Sequence, residues 1–410
     1  MKIINYYFYD INAKMKYFCL CGNASFMNSV IINKIFFSIL LVIIYIYLQD
    51  FILKIIVKKE NYMSGRKFID KCLKTQFINK YNFLKKTPIL TAIIPAYNCE
   101  KTIIYPIISI QNQNISNFEI ILIDDFSQDN TSKILQIFKK QDKRIKVINN
   151  KRNMGTLYSR CIATLVSNGD YIFSLDNDDM VFEEDIFYFT YKIAKEHNYD
   201  IVGFKAVSVK KYSDSITKMK DLEKYKHKNN LIILQPELST WIISYKGKFK
   251  PHDVTLWGKI IKSKIYIESI NLLGENRFST YMSWAEDTSM NFIIFTIAQS
   301  FIFINKYGIL HLISPLTASS LQPINNKFFG SIFLLDIIHE FSKIKENKIF
   351  SVFAALDIMH SFYKYKSILN KKNLSYFRSI IFRIINSKDI NYKNKNFVIK
   401  EFQKFSFNMR

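Results

Sequence analysis

Between residues 90 and 179 short apolar runs alternate with amphipathic stretches, and the apolar runs end in polar or acidic clusters. Leu90–Ile94 predicts a strand broken by Pro95, and Glu100–Gln113 a helix that Pro106 should kink. Glu119–Ile123 predicts a second buried strand running into Asp124-Asp125, followed by a helix over Asn130–Gln141 with Ile134, Ile137 and Phe138 on one face. A third strand is expected at Ile145–Ile148, a helix at Thr156–Val166, and a fourth strand at Tyr171–Leu175 that enters Asp176-Asn177-Asp178-Asp179. This spacing predicts an α/β fold, a mostly parallel doubly wound sheet flanked by helices. Ligands of such sheets bind beyond the carboxyl ends of the strands. Pro95–Asn98, Asp124-Asp125 and Asp176–Asp179 therefore converge on one edge.

The chemistry of that edge is acidic. No G-x-G-x-x-G follows any of these strands and no G-x-x-x-x-G-K-[ST] occurs, which removes the dinucleotide and P-loop readings. Carboxylates do not hold phosphate directly; they hold a hard divalent cation, which then holds phosphate. Asp176 and Asp178 are two residues apart, so on an extended strand end they point the same way. An EF-hand is excluded, because Met180 stands where an oxygen ligand belongs and Val181 where the loop needs glycine.

Six segments, in order, resemble family 2 glycosyltransferases, the inverting nucleotide-sugar enzymes of GT-A fold: TAIIPAYNCEKTI, EIILIDDFSQDNTSKIL, RNMGTLYSR, YIFSLDNDD, LWGKIIKSKIY and WAEDTSMNF. The resemblance spans residues 89–320. It implies that Pro95, Tyr97, Glu100 and Asp125 hold the nucleoside, with Asp124 in support. A carboxylate can accept the imino hydrogen of uracil and an aromatic ring can cover a base, while core packing is the alternative for Tyr97. Asn153, Gly155 and Arg160 match the element beside the diphosphate. Gly155 and Thr156 open a helix whose amides suit an anion, and Arg160 alternatively makes a structural ion pair. Asp176-Asn177-Asp178 resembles the D-x-D motif. Asp178 is then the direct ligand of Mn²⁺ or Mg²⁺, and Asp176 contacts ribose, the metal or its water. Glu286-Asp287 resembles the E-D pair that opens a helix, with Asp287 the general base for a single inverting displacement. The competing reading of that pair is a carboxylate couple favoured by the helix dipole. His311, as a metal ligand or a structural histidine, and Trp257 and Trp284, as sugar-stacking or core residues, stay open.

Outside this region the reading is compositional. Ile35–Leu48 is uncharged and almost wholly apolar. With Phe51-Ile52-Leu53 it reaches the roughly 17–20 residues that span a bilayer. The expected layout is a lead over 1–34, a single membrane anchor helix over 35–53, a basic stem over 54–88, the transferase domain over 89–320, and a C-terminal helical extension over 321–410. The anchor would place the chain in a membrane, single-pass, of endoplasmic reticulum or Golgi in a eukaryote. Lys54, Lys58, Lys59, Arg66 and Lys67 outnumber Lys14, Lys16 and Lys34, which mildly favours a cytosolic C-terminal part; a Golgi-type anchor needs the reverse. The apolar stretch Met290–Ile304 reads better as a buried helix and strand than as a second span. The five cysteines, Cys19, Cys21, Cys72, Cys99 and Cys161, form no disulfide or zinc framework.

The net charge of +24 would suit nucleic acid or an anionic membrane. Yet the expected site is the most acidic part of the chain, and the lysines lie mainly in the stem, in 205–250 and in the C-terminal helices, so nucleic acid is not the expected partner. The expected partners are a nucleotide-sugar donor, UDP-linked, and a glycan, glycolipid or polyprenyl-phosphate acceptor, with hexosyl or N-acetylhexosaminyl transfer. A polyprenyl-phosphate glycosyltransferase with a lipid acceptor is the second enzyme reading, and a catalytically dead transferase fold that acts as a binding protein the third. Residues 330–386 predict amphipathic helices, with Phe333, Leu334, Ile337, Ile338 and Phe341 at helical spacing, which either cap the catalytic core or lie on a membrane surface.

Overall fold

The computed structural model describes residues 87–181, 183–210, 231–234, 244–245, 248–249, 255–313, 323–341, 349–388, 390 and 392–406. The anchor expected at 35–53, with the lead and most of the stem, lies outside the described residues, as do most of residues 211–254. Among the described residues no helix is long and apolar enough to cross a membrane.

Nine strands form one sheet. They are β1 (Leu90–Ala96), β2 (Phe118–Asp124), β3 (Ile145–Asn149), β4 (Tyr171–Ser174), β5 (Met180–Val181), β6 (Ile201–Val209), β7 (Leu231–Leu234), β8 (Lys259–Lys262) and β9 (Ser300–Leu312). Their order is β3-β2-β1-β4-β8-β6-β9-β5, and β7 pairs with β9. The expected parallel pairing runs unbroken only across β3, β2, β1 and β4. Beyond them β8 runs antiparallel to both β4 and β6, and β9 is parallel to β6 but antiparallel to β5 and β7. The whole is a mixed α/β sheet.

The helices are α1 (Ile104–Gln111), α2 (Thr131–Gln141), α3 (Thr156–Leu165), α4 (Ile186–His197), α5 (Ser263–Leu273), α6 (Glu275–Phe278), α7 (Glu286–Ile297), α8 (Ile324–Phe341), α9 (Ile349–Phe362), α10 (Lys371–Asn386) and α11 (Tyr392–Ser406). Side chains alternate across each strand. Leu90, Ala92 and Ile94 of β1 join α1, α2 and α4 on one face, while Ile93 joins α3, α5 and α7 on the other.

Two proline expectations change. Pro95 stays inside β1, because β4 stops pairing with β1 at Ile93/Ser174 and no sheet partner asks for the missing N–H. The helix expected from Glu100 starts at Ile104, so Pro106 sits in its first turn, where a backbone N–H has no helical partner anyway and no kink is required. Met290–Ile304 is a buried helix and strand, as expected.

The face carrying α7 continues into α8–α11. Phe333, Leu334, Ile337, Ile338 and Phe341 are all buried in a core shared with Met290, Ile293 and Ile294 of α7 and reaching Phe405 of α11. The buried carboxylate of Asp336 on α8 gathers Arg383 and the Tyr376 hydroxyl (2.9 Å) from α10, and Arg277 of α6 lies at 3.6 Å. Close approach seals the seam: a Cβ on Gly330 would lie 2.0 Å from the Trp284 carbonyl oxygen. That neighbour is backbone and cannot swing away. Gly330→Ala is therefore expected to cost about 1–3 kcal/mol, as overpacking does, and to lower the melting temperature by several degrees in a thermal-shift measurement.

Candidate active site at the carboxyl edge of the sheet

The ends of β1 and β2 are cross-braced. The Asp125 N–H donates to the Ala96 carbonyl at 2.8 Å. The Asn98 N–H donates to Ser127 Oγ (3.1 Å), and Asn98 Oδ1 accepts from the Gln128 N–H (2.7 Å). The Glu100 N–H donates to Asp129, and Glu100 Oε2 accepts from both the backbone N–H (3.0 Å) and Nδ2 (2.8 Å) of Asn130. Asp124 Oδ1 closes the turn by accepting from the Ser127 N–H at 3.0 Å. Asn98, Phe126 and Ala285 are non-glycine residues at positive φ beside this edge, a conformation that persists only where surroundings over-determine it.

Asp125 is buried, and both its oxygens hold the loop before α3. Oδ1 accepts from Asn150 Nδ2 (2.7 Å) and the Met154 N–H (2.8 Å), and Oδ2 from the Gly155 N–H (2.8 Å). Asn153 Oδ1 accepts from the same Gly155 N–H at 3.2 Å. Gly155 caps α3 at φ +88, and a Cβ there would lie 3.0 Å from the Met282 carbonyl oxygen and 3.4 Å from Tyr281 Cδ2. Tyr281 thus packs against the loop that Asp125 organises. Tyr97, one residue beyond Ala96, is 44% exposed and Tyr281 is 52% exposed. Core packing therefore does not explain Tyr97. One half-open ring follows the strand end that Asp125 holds and the other packs on the loop that Asp125 organises, and Tyr281 is a residue that sequence reasoning missed.

Arg160 joins the two acidic motifs. It projects from α3, is 2% exposed, and its guanidinium bonds Asp176 with one terminal nitrogen and Asp287 with the other. The structural ion pair left open by the sequence is thus present, on two carboxylates. Burial alone would depress the Arg160 pKa, but Asp287 and Asp176 hold it above its ordinary value. Asp287 Oδ2 accepts from the Leu256 N–H at 3.1 Å, and Asn291, one turn along α7, donates from Nδ2 to the Thr255 carbonyl at 2.6 Å. The Thr255-Leu256 segment thus holds the helix that carries Asp287. Asp287 lies in the first turn of α7, but its oxygens are bound by α3 and by this segment; the dipole reading alone does not account for that. Burial, then Asp287, push Glu286 up to about 7.

Asp176, Asp178 and Asp179 offer oxygens that all lie within 4.8 Å of one another. Burial, then Asp179, push Asp178 up to about 6, and burial raises Asp176 despite Arg160. Crowded carboxylates of this kind fit a hard divalent cation, which relieves the repulsion between them. Asp179 is fully buried and accepts from the Leu312 N–H (3.0 Å); His311 Nδ1 lies 3.0 Å from its Oδ1. Trp257 stacks on His311, ring centroids 5.1 Å apart. Both residues so gain a local role beside the acidic cluster, while Trp284 lies under the Lys327 ammonium at 5.0 Å. Asn177 Nδ2 donates to the Pro95 carbonyl at 3.2 Å, tying the β4 end to β1.

Residues 91–250 match the family model described as Glycosyl transferase family 2. Glycosyltransferase GlyG of Streptococcus pneumoniae is 32% identical over 114 residues, 28% of this chain and 38% of that protein. Chondroitin synthase of Escherichia coli is 38% identical over 98 residues, 24% of this chain and 14% of that protein. The uncharacterized glycosyltransferase EpsJ of Bacillus subtilis is 29% identical over 214 residues, 52% of this chain and 57% of that protein. The chain thus spans between 14% and 57% of the length of these relatives. Among solved structures, S. aureus TarS 1–349 in complex with UDP-GlcNAc superposes with a TM-score of 0.52 at 14% identity, covering 78% of this chain and 88% of that one, a likeness of fold.

Removing one partner of a buried ion pair costs about 3–5 kcal/mol. Arg160→Gln is expected at the low end of that range, because Asp176 keeps contact with solvent. Urea unfolding should show the loss, and R160Q/D287N should recover much of it.

Proposed function

We infer, on the premise that residues 91–250 belong to glycosyl transferase family 2, that the chain moves a sugar from a nucleotide-diphospho-sugar to an acceptor hydroxyl with inversion. The observation that carries this reading is Arg160, which ties Asp176, the first aspartate of the D-x-D motif, to Asp287, the aspartate of the E-D motif that lies 127 residues beyond Arg160 in sequence. Donor-holding and proton-accepting carboxylates are thereby brought to one place, as a direct displacement requires.

In this mechanism Asp287 takes the proton of the acceptor hydroxyl. The acceptor oxygen bonds to the anomeric carbon as the bond from that carbon to the phosphate oxygen breaks, and the nucleoside diphosphate departs with the electron pair. Inversion follows from the single displacement. Asp176 and Asp178 would hold Mn²⁺ or Mg²⁺, which offsets charge on the departing diphosphate. Arg160 and the Leu256 N–H keep Asp287 oriented. Asp125 keeps the nucleoside wall in shape through the loop before α3, and Tyr97 with Tyr281 offers that wall two aromatic faces. UDP is the expected nucleotide, and the likeness of fold to TarS in complex with UDP-GlcNAc motivates testing it first.

Asp287→Asn is expected to lower sugar transfer by about 10²–10⁴-fold, the scale of a lost proton-transfer group, and Asp178→Asn to abolish it by removing a metal ligand, both with circular dichroism unchanged. Release of nucleotide from a panel of sugar donors, with and without Mn²⁺, measures it. Full activity in either variant removes the assigned role, and no nucleotide-sugar binding at all would favour the dead-fold reading. Loss of an aromatic stacking face is worth about 0.5–1.5 kcal/mol. Calorimetry of UDP with Tyr281→Ala should therefore show affinity down by up to about tenfold, with Tyr281→Phe close to the parent.

A further inference from the structure

The last two helices present a surface that sugar transfer does not use. On α10, Leu374, Phe377, Ile380, Ile381 and Ile384 are buried in the shared core. Lys371, Ser375, Arg378, Phe382 and Asn386 follow one another at helical spacing on the opposite side and are all exposed. Phe382 is 69% exposed, the most of any large hydrophobic side chain among the described residues. It borders an open groove between α10 and α11 with Arg378, Arg383, Ile385 and Phe402. On α11, Lys393, Phe397, Lys400 and Lys404 repeat the pattern, all exposed at helical spacing. Over residues 363–406 the sequence has 11 lysines and arginines against 2 acids, Asp389 and Glu401. Glu401 is itself bonded to Lys404.

Compositional drift toward lysine accounts for the charge but not for a phenylalanine at the centre of an outward, basic helix face. Nucleic acid would meet the charge and stack a base on an exposed ring, but it does not call for apolar walls beside that ring. Phe382 instead borders a groove with apolar Ile385 and Phe402 in its walls, which suits hydrocarbon. Basic side chains flanking exposed aromatics on an amphipathic helix are the composition of a segment that lies in a membrane interface without spanning it.

We propose that the outward face of α10, extended by the basic face of α11, docks on a bilayer surface carrying anionic headgroups. Phe382 enters the interfacial layer, and Lys371, Lys372 and Arg378 meet the headgroup phosphates. This docking is independent of whether residues 35–53 insert.

The test uses the full chain in vesicles of acyl-brominated phosphatidylcholine, alone or mixed with phosphatidylglycerol. The readout is local: the emission that F382W adds over the parent. That emission should fall by about twofold or more in the mixed vesicles, as it does for a ring buried in the acyl boundary, and stay unquenched in phosphatidylcholine alone. Adding K371E/K372E/R378E should abolish the quenching while circular dichroism is unchanged. Quenching in neither vesicle, equal quenching in both, or quenching indifferent to the three charge reversals would each overturn the proposal. A gel shift of single-stranded RNA that the same reversals abolish, with no quenching in vesicles, would overturn it in favour of a nucleic-acid surface.

Discussion

A guanidinium that is almost wholly buried demands counter-charge, and Arg160 obtains it from two elements far apart in sequence. Desolvating one arginine is expensive, and only close carboxylates with good geometry offset it. Asp176 closes β4 and Asp287 opens α7, so α3 stands between the first half of the sheet and the helix packed beneath its second half. The acidic edge exists as one site because this cation sits inside it. Without Arg160, Asp176, Asp287 and Glu286 would confront one another with no compensating charge.

A second layer of constraint is backbone-directed. Asp125 gives both carboxylate oxygens to the Asn150–Gly155 loop and its own N–H to Ala96, so the ends of β1 and β2 and the start of α3 move together. Glu100 and Asn98 do the same for the loops after β1 and β2. Several of the carboxylates that the family resemblance assigns to the nucleoside are thus already engaged in shaping the pocket. Tyr97 and Tyr281, whose rings remain half open, are better disposed to touch a base.

The first half of the fold was legible because its rules are local. Alternating apolar runs and amphipathic stretches specify βα units, and a right-handed crossover leaves few arrangements for them. The strand-end clusters followed from the same pattern. The antiparallel entry of β8 was not legible, since a four-residue strand, KIIK, carries no mark of its direction. Arg160 was singled out, but a lone arginine on a helix names no partners, and those it has come from 16 and 127 residues away. Tyr281 was missed because nothing in its neighbours in sequence distinguishes a ring facing a cleft from one facing solvent. The helical spacing of Phe333 to Phe341 predicted a buried face correctly, though not that it would merge with the core behind α7.

That merger bears on how the chain is made. α7, which carries the general-base candidate, packs on α8, and the core behind that contact extends as far as Phe405. A chain emerging from the ribosome can pair β1–β4 early, but the side of α7 that faces α8 stays uncovered until α8 has been synthesised. Translation thus separates the donor half of the site from its proton acceptor in time, and the nascent intermediate carries an exposed hydrophobic surface that invites chaperones.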